Sequence, residues 1–234
     1  MISKGVIYMS FGKRASEAVQ KSYASLINAN NEFIRAIAIG DTPVPNMEYI
    51  EWKSNTPVYS KDNIFYAGQT KPFLYELAPF DHTLYIDADT TILGNIMPGF
   101  EFLEKYDICV ANHYNNICID DICKGRPLES PKYSNRIKER EATIKLLDNS
   151  KTPYINAGVM FFKKSNATRK VFMDWNKEWL DYWEWDEQLA LHRAIHNCPE
   201  IKVFYMPEIW NKKYKTLDTI IWHQMGGQTA RKVL

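Results

Sequence analysis

The sequence has few cysteines, almost no net charge and no long apolar run. Its 234 residues include four cysteines, too few for a disulfide scaffold at this length, which indicates free thiols in a reducing compartment. Its 29 basic and 28 acidic residues leave a net charge of +1, so the chain as a whole has no attraction for nucleic acid or membrane surfaces. No stretch approaches the roughly 20 apolar residues that span a bilayer, and the start of the chain has no signal-peptide pattern. We therefore expect a cytoplasmic protein.

The apolar content is high enough for a real core: 45% of the residues are hydrophobic and 24% are charged. There is no internal repeat and no linker rich in Pro, Gly or Ser, so we predict a single domain over residues 1–234. The first fifty residues read as a strand over 6–10, a helix over 16–29 and apolar runs at 33–39 and 47–52. This order favours an α/β fold around a mostly parallel central sheet.

The rest of the chain continues the alternation, with one long interruption. Residues 113–151 are rich in Asn, Lys, Arg and Glu and have little apolar periodicity. We predict an irregular excursion there, of the kind that forms lids or binding segments. Its basic stretch over 124–145 fits either a contact with an anionic acceptor or a solvated loop. Other segments predict strands at 83–86, 107–112, 154–163 and 201–206, and helices at 71–77, after Asn166 as a cap, and from Asp186 to His196.

The most informative segment is a pair of carboxylates where a predicted strand ends. Asp87 and Asp89 directly follow the apolar run Leu84-Tyr85-Ile86. Parallel α/β sheets bind ligands at the carboxyl ends of their strands. Two neighbouring carboxylates repel each other unless a cation lies between them, and Mg²⁺ and Mn²⁺ prefer oxygen ligands that they share with a diphosphate. The spacing therefore suits a metal held between protein and nucleotide; a turn in which Asp caps the next segment is the structural alternative.

Residues 87–91 also match the DxDxT pattern of haloacid-dehalogenase-type phosphatases, in which Asp87 would be the nucleophile. That motif normally lies on the first strand of its domain and requires a later acidic cluster, and Asp120-Asp121 does not follow a clear strand. A nucleotidyltransferase is a further alternative, although residues 11–14 make a poor phosphate loop. A non-catalytic protein that binds nucleotides or glycans on the same fold is the third.

Further motifs accompany the carboxylate pair in a fixed order. They are Lys71 before it, Tyr85-Ile86-Asp87-Ala88-Asp89-Thr90, Leu93-Gly94-Asn95-Ile96, Tyr154-Ile155-Asn156-Ala157-Gly158-Val159-Met160, Asp186-Glu187-Gln188, and His223-x-x-Gly226. In this order the chain resembles the GT-A fold glycosyltransferases, most closely the family-8-like group of glycogenin and the lipopolysaccharide galactosyltransferases. The resemblance implies a Rossmann-like GT-A fold. It also implies transfer of a sugar from a nucleotide diphosphate, with UDP expected, to a glycan, lipid-linked sugar, protein or nucleic acid.

The resemblance also implies the site residues. Asp87, Asp89 and His223 would bind Mn²⁺ or Mg²⁺, and Asp186 and Gln188 would contact the sugar and take part in catalysis. The family commonly has a Lys-Pro-Trp segment after the late His-x-x-Gly, and this chain has Gly227-Gln228-Thr229 instead. Contacts to the donor would come from Tyr8, Ser10, Phe11, Lys71, Asp87, Asn156, Ala157, Gly158 and Gly226. For Lys71 the alternative is a solvated helix lysine.

Overall fold

A computed structural model describes residues 2–30, 33–52, 67–113, 117–119, 121, 134–147, 151–182 and 187–224. Within these ranges, nine strands and six α-helices follow one another along the chain. The strands are β1 (Lys4–Ser10), β2 (Arg35–Gly40), β3 (Glu48–Glu51), β4 (His82–Ile86), β5 (Thr90–Ile92), β6 (Ile108–Asn112), β7 (Ile155–Lys163), β8 (Val203–Met206) and β9 (Ile221–His223). The helices are α1 (Gly12–Ala29), α2 (Leu74–Leu77), α3 (Met97–Glu101), α4 (Ser134–Leu147), α5 (Asn166–Tyr182) and α6 (Glu187–His196).

Seven strands form the central sheet, in the order β3-β2-β1-β4-β7-β6-β8. Neighbouring strands are parallel except where β7 is involved, since β7 runs antiparallel to both β4 and β6. The predicted α/β fold with a mostly parallel sheet is therefore confirmed. Strands β5 and β9 form a separate antiparallel pair that the sequence pattern does not single out.

Helices cover both faces of the sheet, which explains why its central strands are apolar throughout. Along β1, Ile7 faces the layer that contains α5 and α6, while Val6 faces the layer that contains α1 and α3. On α5, Trp175 and Trp179 are buried in the first of these layers, as their helical spacing predicts. None of the described helices is both long and apolar enough to cross a membrane.

The segment predicted to be irregular contains helix α4, which a polar contact rather than an apolar stripe holds in place. Arg193 of α6 donates from Nη2 to Glu139 Oε1 at 3.0 Å and from Nη1 to Thr143 Oγ1 at 2.7 Å. The exposed fractions of Arg193 and Glu139 are only 2% and 1%. A helix that packs through a buried ion pair has no hydrophobic period, so the sequence pattern resembled a solvated loop.

The cap of α5 also differs from the prediction. The helix begins at Asn166, but Ser165 is the residue that caps it. Its hydroxyl oxygen accepts a hydrogen bond from the main-chain N–H of Thr168 at 3.1 Å, which is the usual N-cap geometry. Serine and asparagine cap almost equally well, so two adjacent candidates cannot be separated from the sequence.

Candidate metal and donor site

The two carboxylates of the motif lie in the turn that joins β4 to β5. Strand β4 is buried along its whole length and ends at Ile86. Its hydrogen bonding to β7 continues one residue further, because the Asp87 N–H donates to the Gly158 carbonyl at 2.7 Å. The hydroxyl of Thr90 donates to the Asp87 carbonyl at 2.8 Å and closes the turn. The motif is thus fixed at the carboxyl end of a central strand, as the sequence predicts.

Strand β9 brings His223 to this turn. Its register with β5 places His223 opposite Thr90, and the main-chain N–H of Gln224 donates to the Asp89 carbonyl at 2.9 Å. Nε2 of the buried His223 ring lies 3.0 Å from Asp89 Oδ1 and 3.8 Å from Asp87 Oδ2. One ligand atom from each of the three residues lies within 4.8 Å of the other two. The structure therefore brings the three predicted metal ligands together.

Gly158 leaves the space in which these ligands converge. A Cβ atom at this position would lie 2.4 Å from His223 Cε1 and 2.6 Å from Asp87 Oδ2, far inside van der Waals contact. The donor set of two carboxylates and one imidazole suits a divalent cation such as Mn²⁺. By both its chemistry and its space, the site fits the cation that the resemblance implies.

Lys71 lies beside the metal ligands and is buried, so the alternative of a solvated lysine is wrong. Its Nζ is 3.2 Å from Asp87 Oδ1 and 2.9 Å from Glu187 Oε1. Burial lowers the pKa of Lys71, but Asp87 and Glu187 outweigh burial and raise the pKa above its ordinary value. The ammonium is therefore charged at neutral pH.

Lys71 lies in a 3-10 turn over Ala67–Phe73 rather than in the predicted α-helix, and Pro72, which lacks an N–H, lies inside that turn.

Strand β7 bulges where it passes the site. Val110 of β6 pairs with Met160, but the next residue, Ala111, pairs with Asn156, so residues 157–159 leave the ladder with β6. The Asn156 side chain supports the bulge, since its Oδ1 accepts the Gly158 N–H at 2.8 Å. Bulges are common next to binding sites, and this one lies beside Asp87, whose N–H is bonded to the Gly158 carbonyl.

Gln188 holds the same bulge from the side of α6. Its Oε1 accepts the Ala157 N–H at 3.1 Å, and its Nε2 donates to the Tyr154 hydroxyl at 3.0 Å. Two separate motifs of the sequence, Asn156-Ala157-Gly158 and the one that contains Gln188, therefore form one contiguous wall. Both ends of the Gln188 amide have protein partners, the Ala157 N–H and the Tyr154 hydroxyl.

Tyr8 and Ser10, which were predicted to contact the donor, have side chains that are buried away from the site. Tyr8 is fully buried against α1, and its hydroxyl accepts a hydrogen bond from Ser22 Oγ at 3.3 Å. Burial raises the pKa of Tyr8 far above its ordinary value. Ser10 is also buried, and its Oγ donates to the Thr42 carbonyl at 2.6 Å. Because Tyr8 and Ser10 are two residues apart on β1, their side chains lie on the same buried face of the sheet. Neither side chain can contact a ligand in this structure.

Phe11 is the exception among the residues at the end of β1. It is partly exposed, and its ring packs edge-on against Trp52 at a centroid distance of 6.3 Å. Trp52 in turn packs edge-on against Phe73 at 5.4 Å. Because β1 and β3 run in the same direction, this aromatic cluster lies at the ligand-binding edge of the sheet. Phe11 therefore remains a candidate for contact with a nucleotide base.

Three residues around the site were not predicted. Glu187 belongs to the motif Asp186-Glu187-Gln188, but only its two neighbours were assigned a role, although a third carboxylate in this motif was a usable signal. Tyr85, whose hydroxyl donates to Asp87 Oδ1, lies in the carboxylate motif but was assigned no role. Asn211, whose Oδ1 lies 2.8 Å from His223 Nδ1, has no pattern that marks it. Asp186 and Gly226, which were predicted, lie outside the described residues.

Solved structures that superpose on this chain include several glycosyltransferases. The bifunctional glycosyltransferase WbbM superposes with a TM-score of 0.67 at 13% identity, over 97% of this chain and 46% of WbbM, so the chain spans about half the length of WbbM. The galactosyltransferase LgtC, in complex with donor and acceptor sugar analogues, gives 0.63 at 13% identity, over 95% of this chain and 87% of LgtC. Mouse xyloside xylosyltransferase 1 gives 0.54 at 11% identity, over 95% of this chain and 98% of that chain. No protein-family model and no curated protein matches the sequence.

The chain therefore has the fold of the GT-A glycosyltransferases, as its motif order led us to expect. The galactosyltransferase LgtC is among its structural neighbours, which is compatible with the galactosyltransferase branch of that resemblance. The likeness extends over nearly the whole of the chain. It establishes the architecture in which Asp87, Asp89 and His223 meet.

Proposed function

We propose that the protein is a metal-dependent glycosyltransferase that moves a sugar from a nucleotide diphosphate, with UDP as the expected nucleotide, to an acceptor. One observation carries the proposal: Asp87, Asp89 and His223 converge beside a buried, charged Lys71 at the carboxyl end of a central strand. That edge of an open α/β sheet is where such folds bind their ligands.

The three ligands and the lysine have separate roles in this proposal. Asp87 and Asp89 supply anionic oxygens and His223 supplies an imidazole nitrogen for Mn²⁺ or Mg²⁺. Such an ion, when bound, provides Lewis-acid stabilisation of the charge that develops on the leaving diphosphate. Lys71 adds a second positive charge, because its two carboxylate partners keep its ammonium group protonated. Tyr85 holds Asp87 by a hydrogen bond to the oxygen that also faces Lys71.

The wall formed by the β7 bulge would lie against the donor sugar. Gly158 and Ala157 are small and allow close approach of the main chain, and Gln188 holds that main chain in place. We propose that Gln188 positions this wall and that Asp186 contacts the sugar hydroxyls. Phe11 would contact the base. The acceptor is a glycan, lipid-linked sugar, protein or nucleic acid, and the complex of LgtC with sugar analogues supports a sugar acceptor.

The alternatives are not favoured. A dehalogenase-type phosphatase needs a second acidic cluster next to its nucleophile. In the part of the chain that the structure describes, Asp87, Asp89 and His223 form the one cluster of three such ligand residues, and it contains a histidine. A non-catalytic binding protein on this fold has no need to keep all three ligands together with a charged lysine.

A thermal-shift series tests the proposal directly. Mn²⁺ together with UDP or a UDP-sugar should raise the melting temperature, because a ligand that binds only the folded state stabilises it. Mn²⁺ alone and each nucleotide alone are the controls, and a panel of other nucleotide sugars would identify the donor. Absence of any shift with every nucleotide diphosphate would contradict the donor assignment.

Substitution of the ligands extends the test to turnover. Asp89→Asn should abolish metal-dependent hydrolysis of the donor and leave the fold intact, because this side chain contacts His223 rather than the apolar core. His223→Ala should act in the same direction less severely, since a water can replace a neutral imidazole. Glu76→Gln, at an exposed surface ion pair, is the matched carboxylate-to-amide control. Normal turnover of Asp89→Asn at low Mn²⁺ would place the metal elsewhere.

A further inference from the structure

Asn211 contacts the nitrogen of His223 that does not face the carboxylates. It follows a short 3-10 helix over Glu208–Trp210, and its side chain is fully buried. Its Oδ1 lies 2.8 Å from His223 Nδ1, whereas Nε2 of the same ring lies 3.0 Å from Asp89 Oδ1. Each ring nitrogen thus faces one protein oxygen, and the ring is held between Asn211 and the metal ligands.

A neutral imidazole carries only one hydrogen, so it cannot donate to both oxygens. With the hydrogen on Nδ1, the ring donates to Asn211 and presents a lone pair to the Asp89 carboxylate. Two acceptors at that separation repel unless a cation lies between them, so this tautomer suits a bound metal. With the hydrogen on Nε2, the ring donates to Asp89, and Nδ1 then needs a donor.

The amide of Asn211 can serve either tautomer. Its Nδ2 is buried and lacks a hydrogen-bond partner among the described residues, which is unfavourable for a donor. A half-turn of the amide exchanges its oxygen and nitrogen, so that Nδ2 donates to His223 Nδ1. The rotated amide therefore fits the metal-free site, and the orientation with Oδ1 toward His223 fits the metal-bound site.

We propose that Asn211 is a positioning residue that sets the tautomer of His223 and rotates its amide when a divalent cation binds. The inference rests on the proposed metal site. An asparagine suits both the metal-free and the metal-bound state, because its amide can either donate to the ring or accept from it. An aspartate could only accept a hydrogen bond from the ring, and an apolar residue could neither donate nor accept. The role belongs to the side chain of Asn211 alone, since its main-chain N–H is already bonded to the Glu208 carbonyl.

The tautomer can be read by NMR of protein labelled with ¹⁵N-histidine, at about pH 8, where an ordinary histidine is neutral. In EDTA we expect His223 with its hydrogen on Nε2, and with Zn²⁺ as a diamagnetic probe we expect it on Nδ1. His192 is the internal control, because its Nε2 accepts the Ile155 N–H and its hydrogen should stay on Nδ1 in both samples. A doubly protonated His223 ring in EDTA, or no change of tautomer with Zn²⁺, would overturn the proposal.

Two variants separate positioning from general structure. Asn211→Leu should weaken Mn²⁺ binding, measured by calorimetry, by about 10- to 100-fold, the usual effect of removing a partner of a metal-bound histidine. Asn211→Asp should keep the hydrogen on Nδ1 even in EDTA and bind Mn²⁺ at least as tightly as the wild type. This second variant keeps the proposal falsifiable if the leucine variant does not fold.

The outcomes also separate this inference from the proposed function. If the wild type binds metal but both variants match it in tautomer and affinity, only the role of Asn211 is wrong. If the wild type binds neither Mn²⁺ nor Zn²⁺, the metal-dependent function fails and this inference fails with it. Because the readings need neither nucleotide nor sugar, an incorrect donor assignment would not affect them.

Discussion

Lys71 Nζ and Glu187 Oε1 lie 2.9 Å apart, although 116 positions separate the two residues in the chain. The pair joins the turn before α2 to the first residue of α6. The same ammonium also contacts Asp87, so one buried cation serves two carboxylates. The charge balance of the site therefore depends on Lys71, and this dependence can be tested without a substrate.

Replacement of Lys71 by methionine should destabilise the protein by about 2–3 kcal/mol. Removing one partner from a buried ion pair leaves charge without compensation, and the cost is below that of a fully buried pair because both carboxylates retain some solvent contact. Mn²⁺ should restore part of this stability, since it neutralises Asp87. Urea unfolding with and without Mn²⁺ measures both effects. Arg169→Met, at the exposed pair with Glu76, is the control and should change stability little; equal losses in the two variants would refute the charge argument.

Replacement of Gly158 by alanine should weaken Mn²⁺ binding by at least about tenfold, because the new Cβ would displace His223 or Asp87 from the other ligands. Calorimetric titration with Mn²⁺ measures the change. Gly94→Ala is the matched control, since a Cβ there would meet its nearest neighbour at 3.4 Å, an ordinary contact. Unchanged affinity in Gly158→Ala would show that these three side chains do not share one ion.

Replacement of Arg193 by methionine should destabilise the protein by about 3–5 kcal/mol, because it leaves the buried Glu139 without its partner. Glu139→Gln in the same chain should recover part of the loss, which a double-mutant cycle would show as a coupling energy. The loss should be accompanied by proteolytic cleavage within α4, because this ion pair connects α4 to α6. Arg35→Met, at an exposed ion pair with Glu48, provides the comparison and should leave α4 resistant.

Stability should fall below pH 6.5 in part through His192. Burial, with a smaller effect of Arg193, lowers the pKa of His192 from 6.5 to about 3. Between these values the unfolded chain binds a proton that the folded protein does not, so stability rises with pH across this window and falls on acidification. His192→Gln keeps an acceptor for the Ile155 N–H and removes the titration. The free energy of unfolding of this variant should change less with pH than that of the wild type, by up to about 1.4 kcal/mol per pH unit. Urea unfolding of both proteins at pH 4–6.5 measures the difference. Parallel curves would contradict the assignment.

The sheet and the carboxylate turn could be predicted because both leave local signals. Strands buried on two faces are short apolar runs, and β1, β4 and β7 appear in the sequence as such runs. Asp87 and Asp89 follow β4 directly, so the strand itself places them at the ligand-binding edge. His223 was found through motif order, and β9 proved to be the strand that carries it. The strands and the carboxylate pair depend on residues close together in the chain, whereas His223 depended on the order of motifs along it.

The polar contacts that complete the site depend on the tertiary structure alone. Glu187 meets Lys71, Asn211 meets His223, and Glu139 meets Arg193 only after the sheet and helices have assembled. A hydrophobic period in the sequence indicates contact with the apolar core. A buried charge or amide instead pairs with a residue whose position in the chain is distant and follows no period. For the same reason the direction of a strand is harder to predict from the sequence than its existence. The burial of the Tyr8 and Ser10 side chains likewise depends on the helices that cover both faces of β1. Sequence thus determined most strands of the central sheet and the position of the two carboxylates, and packing decided which charges and amides surround them.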